Sequence, residues 1–197
     1  MNKFAIAAVI AVISTPALAQ TPTGTPAAGN QDLAINLSAT VANRCSVYNA
    51  SNPTGGNPVT TVNFGELADT ASNATVAAPA FAALYICNVA SGFTRSVSSQ
   101  NLGNLFRAGT TGGANNAIPY TFQHGGGSGL GFAATQLTTP VSTTFGGSSA
   151  FLSGQTGSIT LRVSGVQVAS AANSAFNTTN VFAGNYSDVV TVDIVGN

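Results

Sequence analysis

Apolar residues in this sequence recur at every second position, and no stretch of ten residues repeats them at the helical spacing. Leu33, Ile35, Leu37, Ala39 and Val41 alternate with Ala34, Asn36, Ser38 and Thr40. A period of two sends alternate side chains to one face, the pattern of a strand buried on one side. Further strands are expected over Val59–Phe64, Phe81–Val89, Phe93–Val97 and Ile118–Phe122, where Pro119 points to an edge or a strand start. Ile159, Leu161 and Val163 alternate through Arg162, with Val166 and Val168 as an extension past Gly165, and Tyr186–Val195 closes the series with Val190, Val192 and Ile194 on one face. Only the Ala-rich stretch Glu66–Leu84 looks mildly helical, and Thr70, Thr75, Val76 and Pro79 count against it. The expectation is an all-β domain of about seven strands, arranged as a sandwich.

The surface of such a domain must be built from Ser, Thr, Asn and Gly, because only 5% of the residues are charged while 44% are hydrophobic. Five Lys and Arg balance five Asp and Glu. That leaves no field with which to hold nucleic acid or an anionic membrane.

The first residues read as an address rather than as structure. Lys3 precedes an apolar run from Phe4 to Ile13, and Ala17-Leu18-Ala19 follows as an A-x-A cleavage site. This is a secretory signal peptide over 1–19, too short for a membrane span, which needs about 20 apolar residues. The remaining 197 − 19 = 178 residues lack lysine and carry four arginines against five acids, a net of 4 − 5 = −1. Export takes Cys45 and Cys87, the only cysteines, into an oxidising compartment, where a disulfide between them is expected. Residues 20–31, rich in Thr, Pro, Gly and Ala, read as a flexible leader.

Catalytic chemistry finds little to work with. His124 is the only histidine; it is read as exposed beside the glycine loop 125–131, with no group to orient it as a base. Those glycines do not match G-x-G-x-x-G, and no helix follows to receive a phosphate. Asp188 and Asp193, five apart on an expected strand, face opposite ways and form no carboxylate pair. Glu66 and Asp69 read as a solvated turn. No catalytic, metal or cofactor residues are assigned, and an enzyme is not expected.

Four elements together resemble a family. They are the stretch Ser38-Ala39-Thr40-Val41-Ala42-Asn43-Arg44-Cys45-Ser46-Val47, the strand end Val62-Asn63-Phe64-Gly65, the run Leu84-Tyr85-Ile86-Cys87-Asn88, and the ending Gly184-Asn185-Tyr186-Ser187-Asp188-Val189-Val190-Thr191-Val192. The combination resembles the spore coat protein U domain family, which includes pilins of archaic chaperone–usher pili, and it spans about residues 32–197. Where that family often carries Trp-Gly after its middle Tyr strand, Tyr120 is followed here by the Gly-rich stretch 125–132.

The resemblance implies an immunoglobulin-like sandwich that lacks its last strand. A periplasmic chaperone would fill the vacant groove first. At an outer-membrane usher, the N-terminal strand of the next pilin subunit would then replace it, a case of β-strand addition. The donor would be residues 32–41, through Leu33, Ile35, Leu37, Ala39 and Val41; the acceptor groove would be lined by Val190, Val192 and Ile194. The sequence stops at Gly196-Asn197 after a strong strand, in keeping with a missing one. Two other readings stay open for the alternating segment: it is the domain's own first strand, or it is split, with 32–37 donated and 38–47 native. The function expected is a structural subunit of a surface pilus, supporting adhesion or biofilm formation. A non-fibrous coat protein and a monomeric carbohydrate-binding module or adhesin are the alternatives.

Overall fold

The computed structural model describes residues 35–51, 59–169 and 177–197. The expected signal segment 1–19, the leader 20–31 and Leu33 lie outside the described residues. Residues 1–40 and 41–197 form separate compact units. Of the first, residues 35–40 are described; they belong to no regular element and are exposed.

The second unit is a β-sandwich of two main sheets, and Gln167–Ala169 and Asn177–Thr179 pair antiparallel as a separate two-stranded sheet. Its strands are β1 (Cys45–Asn49), β2 (Thr75–Ala77), β3 (Phe81–Cys87), β4 (Phe93–Ser99), β5 (Asn104–Arg107), β6 (Ala117–His124), β7 (Phe132–Thr135), β8 (Val141–Phe145), β9 (Gln155–Ser164), β10 (Gln167–Ala169), β11 (Asn177–Thr179), β12 (Tyr186–Ser187) and β13 (Val190–Gly196). The large sheet runs β1-β3-β9-β6-β5-β12, with β2 added on β9 and β7 on β6; the small sheet runs β13-β4-β8. All these pairings are antiparallel.

Alternation in the sequence places the core between the sheets. On β4, Phe93, Arg95 and Val97 are buried while Thr94 and Ser96 are less so. On β6, Ile118, Tyr120, Phe122 and His124 are buried. Phe93 stacks on Phe145 of β8 with centroids 4.8 Å apart, and reaches Tyr85 of the large sheet at 6.3 Å. Such ring pairs contribute about 0.5–1.5 kcal/mol each beyond area burial. A short helix, α1 (Ser149–Ser153), is capped by Ser148, whose side chain accepts from the Ala150 N–H. It drives Phe151 edge-on into Phe93 at 4.9 Å.

Several sequence expectations need correction. Val59–Phe64 keeps a period of two, with Thr60, Val62 and Phe64 half-buried and Val59, Thr61 and Asn63 exposed, yet it belongs to no strand. The described part of the alternating N-terminal segment, residues 35–41, belongs to no strand either. Tyr186–Val195 is two strands in different sheets, split at Asp188. β6 is a central strand rather than an edge; Pro119, its third residue, precedes the first residue paired to β9. The count of about seven strands missed the short ones.

His124 is not an exposed loop residue. It ends β6 opposite Ile159 and is 1% exposed. Its Nδ1 lies 2.8 Å from the Gly125 carbonyl, which only accepts, so Nδ1 carries the proton and Nε2 accepts from the Tyr85 hydroxyl at 2.8 Å. A Cβ at Gly157 would collide with the ring. Beside it, Arg95 is fully buried, donating from Nη1 to the Leu130 carbonyl at 2.8 Å while Nε has no partner. Its guanidinium lies 5.1, 5.3 and 5.9 Å from the rings of Phe145, Phe132 and Tyr85, so aromatic faces do the solvating.

This pair gives the fold an acid limit. Burial first, and then the Arg95 charge, push His124 down to about 4 from 6.5. The folded state therefore binds this proton less well than the unfolded chain. Its contribution is whole above pH 6.5 and is lost as pH falls through 4, a total of about 3 kcal/mol. Denaturation measured from pH 7 to 3.5 should follow that slope, and His124→Gln should flatten it; an unchanged slope in the variant refutes the assignment.

Candidate assembly groove

Both sheets end in a free strand on the same side of the sandwich. Among the described residues β1 pairs only with β3, and β13 only with β4. The two strands run in opposite directions, since Cys45 at the start of β1 lies beside Gly196 at the end of β13, where a Cβ would stand 3.4 Å from the Cys45 Sγ.

The hydrogen-bond phase of each ladder says which backbone groups are left over. Asn88 N–H donates to Arg44 and Ala50 N–H to Ala82, so even-numbered residues of β1 bond to β3. Antiparallel pairing alternates, so the N–H and C=O of Cys45, Val47 and Asn49 point to the open side. On β13, Gln100 N–H donates to Val189 and Asn197 N–H to Gly92. There the odd residues are used, and Val190, Val192 and Ile194 present theirs outward.

Between these edges lies a groove of about 1240 Å³. Its floor includes Phe81, Ala83, Phe122, Ile159 and Leu161; its far end holds Leu105, Ile118 and Tyr120. The stretch Val190 to Ile194 lines it; Val190, Val192 and Ile194 are half-buried against the core, while Thr191, Asp193 and Val195 are exposed. Residues 59–68 form part of the β1 side, tethered where the Asn49 Nδ2 donates to the Thr60 Oγ1 at 2.7 Å. Its alternation in sequence is the same as that of a paired strand, so the pattern alone does not mark it as a wall.

Asp188 holds the groove's far end. The chain crosses there from β12 in one sheet to β13 in the other. Its Oδ2 accepts from Ser99 Oγ and Tyr120 Oη, both at 2.5 Å, and its Oδ1 from the Asn101 and Val189 N–H groups at 2.9 and 2.7 Å. Burial and this carboxylate together raise the Tyr120 hydroxyl pKa. Asp193 is exposed on β13, so the two acids do not meet. Asp188→Ala strands two hydroxyls and should cost about 2–3 kcal/mol, a fall in Tm of roughly 5–10 °C for a domain this size; a fall under 2 °C counts against the pin.

At the opposite end Cys45 and Cys87 are joined in a disulfide and face each other in the β1–β3 register. Of the residues expected to donate a strand, Leu33 lies outside the described residues; Ile35, Leu37 and Val41 are 71%, 91% and 81% exposed, and Ala39 is exposed too.

No protein-family model matches the chain, and no curated protein matches it. A solved structure described as "Chaperone-tip adhesin complex is vital for synergistic activation of CFA/I fimbriae biogenesis" is similar at 9% identity with a TM-score of 0.42, over 78% of this chain and 42% of that one. The chain thus spans less than half the length of that neighbour. A likeness at that level says nothing about what this chain binds.

Proposed function

We propose that the protein is a structural subunit of an extracellular fimbria, exported by residues 1–19 and joined to its neighbours by donated β-strands. A single observation carries this reading. A groove floored by apolar side chains lies between two strand edges whose spare N–H and C=O groups face it from both sides. Unpaired edges are templates for another strand and are normally covered. Small-molecule pockets run to about 1000 Å³ and offer a few fixed polar groups. A larger groove bounded by two backbone edges suits a length of peptide better.

The occupant is residues 32–41 of a second copy. That segment alternates apolar and polar residues, as a strand with one buried face requires, and its described apolar side chains are exposed. Before assembly a periplasmic chaperone covers the same groove, and an outer-membrane usher directs the exchange.

Removing residues 20–37 tests this. The truncated protein should lose the stable multimers of the parent and survive in the periplasm only with a chaperone bound. A well-behaved, monodisperse monomer after the deletion means that no strand is missing, and leaves a coat protein or a sugar-binding module as the better description.

A further inference from the structure

The exchange reading raises a question of choice, because the donor segment is tethered a few residues from its own groove. We infer that Asn88 decides it: by tying Ala42 and Arg44 to the end of β3, its side chain suppresses insertion of the leader into the groove of the same chain and favours the groove of another copy. The inference rests on the donor-strand reading above.

Asn88 follows the disulfide at the end of β3. Its backbone N–H donates to the Arg44 carbonyl at 3.0 Å, its Oδ1 accepts from the Arg44 N–H at 2.6 Å, and its Nδ2 donates to the Ala42 carbonyl at 2.9 Å. The side-chain amide thus stands in for the next backbone residues of β3, which turns away. It carries the line of β1 past Cys45 to Ala42, although residues 42–44 belong to no strand.

Without that clamp a hairpin is open to the chain. A three-residue loop at Ala42-Asn43-Arg44 would pair Val41 with Cys45, Ala39 with Val47 and Leu37 with Asn49. Partners directly opposite share a face, and Cys45 and Val47 pack against the core. The register therefore sends Leu37, Ala39 and Val41 inward, where a one-residue slip would expose them. Asn43 also tolerates the backbone conformations of a tight turn. The nearer alternatives do not: Ala39, Thr40 and Val41 include two β-branched residues and no Gly, Pro, Asn or Asp. The clamp bonds both neighbours of the one residue suited to turn.

The test is the partition of the full-length exported chain between multimer and monomer, read by size-exclusion chromatography at fixed concentration. Asn88→Ala should raise the monomer share at least about fivefold, and those monomers should resist protease at the leader. Adding Asn43→Val to Asn88→Ala should return the partition toward wild type. Should Asn88→Ala fail to fold, Asn43→Gly with the clamp intact gives the same sign with a smaller rise. Wild-type partition in Asn88→Ala and Asn43→Gly alike overturns the inference. Leu37→Asp separates this from failure of the donor-strand reading: if wild-type multimers persist unchanged in Leu37→Asp, the leader joins no subunits and both fall together.

Discussion

If the leader joins subunits as proposed, Ile35→Asp should abolish polymer while leaving the folded domain and its capacity to bind a chaperone intact. Ile35 is 71% exposed and belongs to no strand, so the domain loses no core contact when it changes. In a neighbour's groove the same side chain would be buried. Leu33, Ile35 and Leu37 stand about 6.7 Å apart on one face of an extended segment, and burying each contributes roughly 1.5–3 kcal/mol. Three together give about 5–9 kcal/mol before backbone pairing, less the entropy of ordering the leader. An aspartate at the middle position removes one such share and adds the cost of placing a carboxylate against apolar side chains. A loss of at least about 4 kcal/mol follows, roughly a thousandfold in the junction's equilibrium. Chaperone pull-down and a fibre count on the same cells check it. An unfolded variant that no longer binds chaperone would mean the segment is the domain's own strand; normal fibres would defeat both readings.

Much of the sandwich was legible because one-sided burial writes a period of two into a strand. Phe81–Cys87, Phe93–Ser99 and the closing β13 follow their alternation closely. His124 shows where the method stopped short. The sequence Ile118, Tyr120, Phe122, His124 keeps its phase, but the glycines that follow suggested a loop, and a polar residue at a core position was read as the end of the strand. The ladder continues because Tyr85 and the Gly125 carbonyl satisfy both ring nitrogens. Arg95 holds the same phase between Phe93 and Val97, and its burial is made tolerable by the Leu130 carbonyl together with three surrounding rings. β8, Val141-Ser142-Thr143-Thr144-Phe145, hid behind its polar content, since threonine serves either face.

The groove was legible only in part. The spacing of Val190, Val192 and Ile194 puts them on one face, while a groove role for them came from the resemblance alone, and residues 59–68 could not be placed opposite them. A segment packed by side chains and unpaired in its backbone looks the same in sequence as a strand. Asp188 meets Ser99 of one sheet, Tyr120 of the other and Asn101 of a turn, and no local pattern in the sequence brings such distant groups together. Asn88 carried a resemblance but no role, because its bonds go back across a separation of 44 and 46 residues.

Removing the disulfide should open the groove at the end where the leader joins the domain. Cys45 and Cys87 close a loop with a sequence separation of 42, for which the chain-entropy treatment gives about 4 kcal/mol. Paired replacement, Cys45→Ser with Cys87→Ser, avoids a free thiol and should lower Tm by roughly 8–16 °C in a domain of this size. The loss should be uneven in space. Among the described residues β1 has a single partner strand, and the bond ties its first residue to the last residue of β3. Residues 44–47 should therefore fray first, taking with them the edge groups of Cys45 and Val47 that face the groove. Hydrogen exchange should show these amides losing protection well before those of β6 and β9, which lie inside the large sheet. A strand docked between β1 and β13 would then meet one firm edge and one loose one. If a chaperone covers the groove as proposed, its complexes with the double variant should dissociate faster than those with the parent even at temperatures where the domain stays folded. A Tm within 2 °C of the parent, or uniform loss of protection across the sandwich, would show that the bond does not hold this edge.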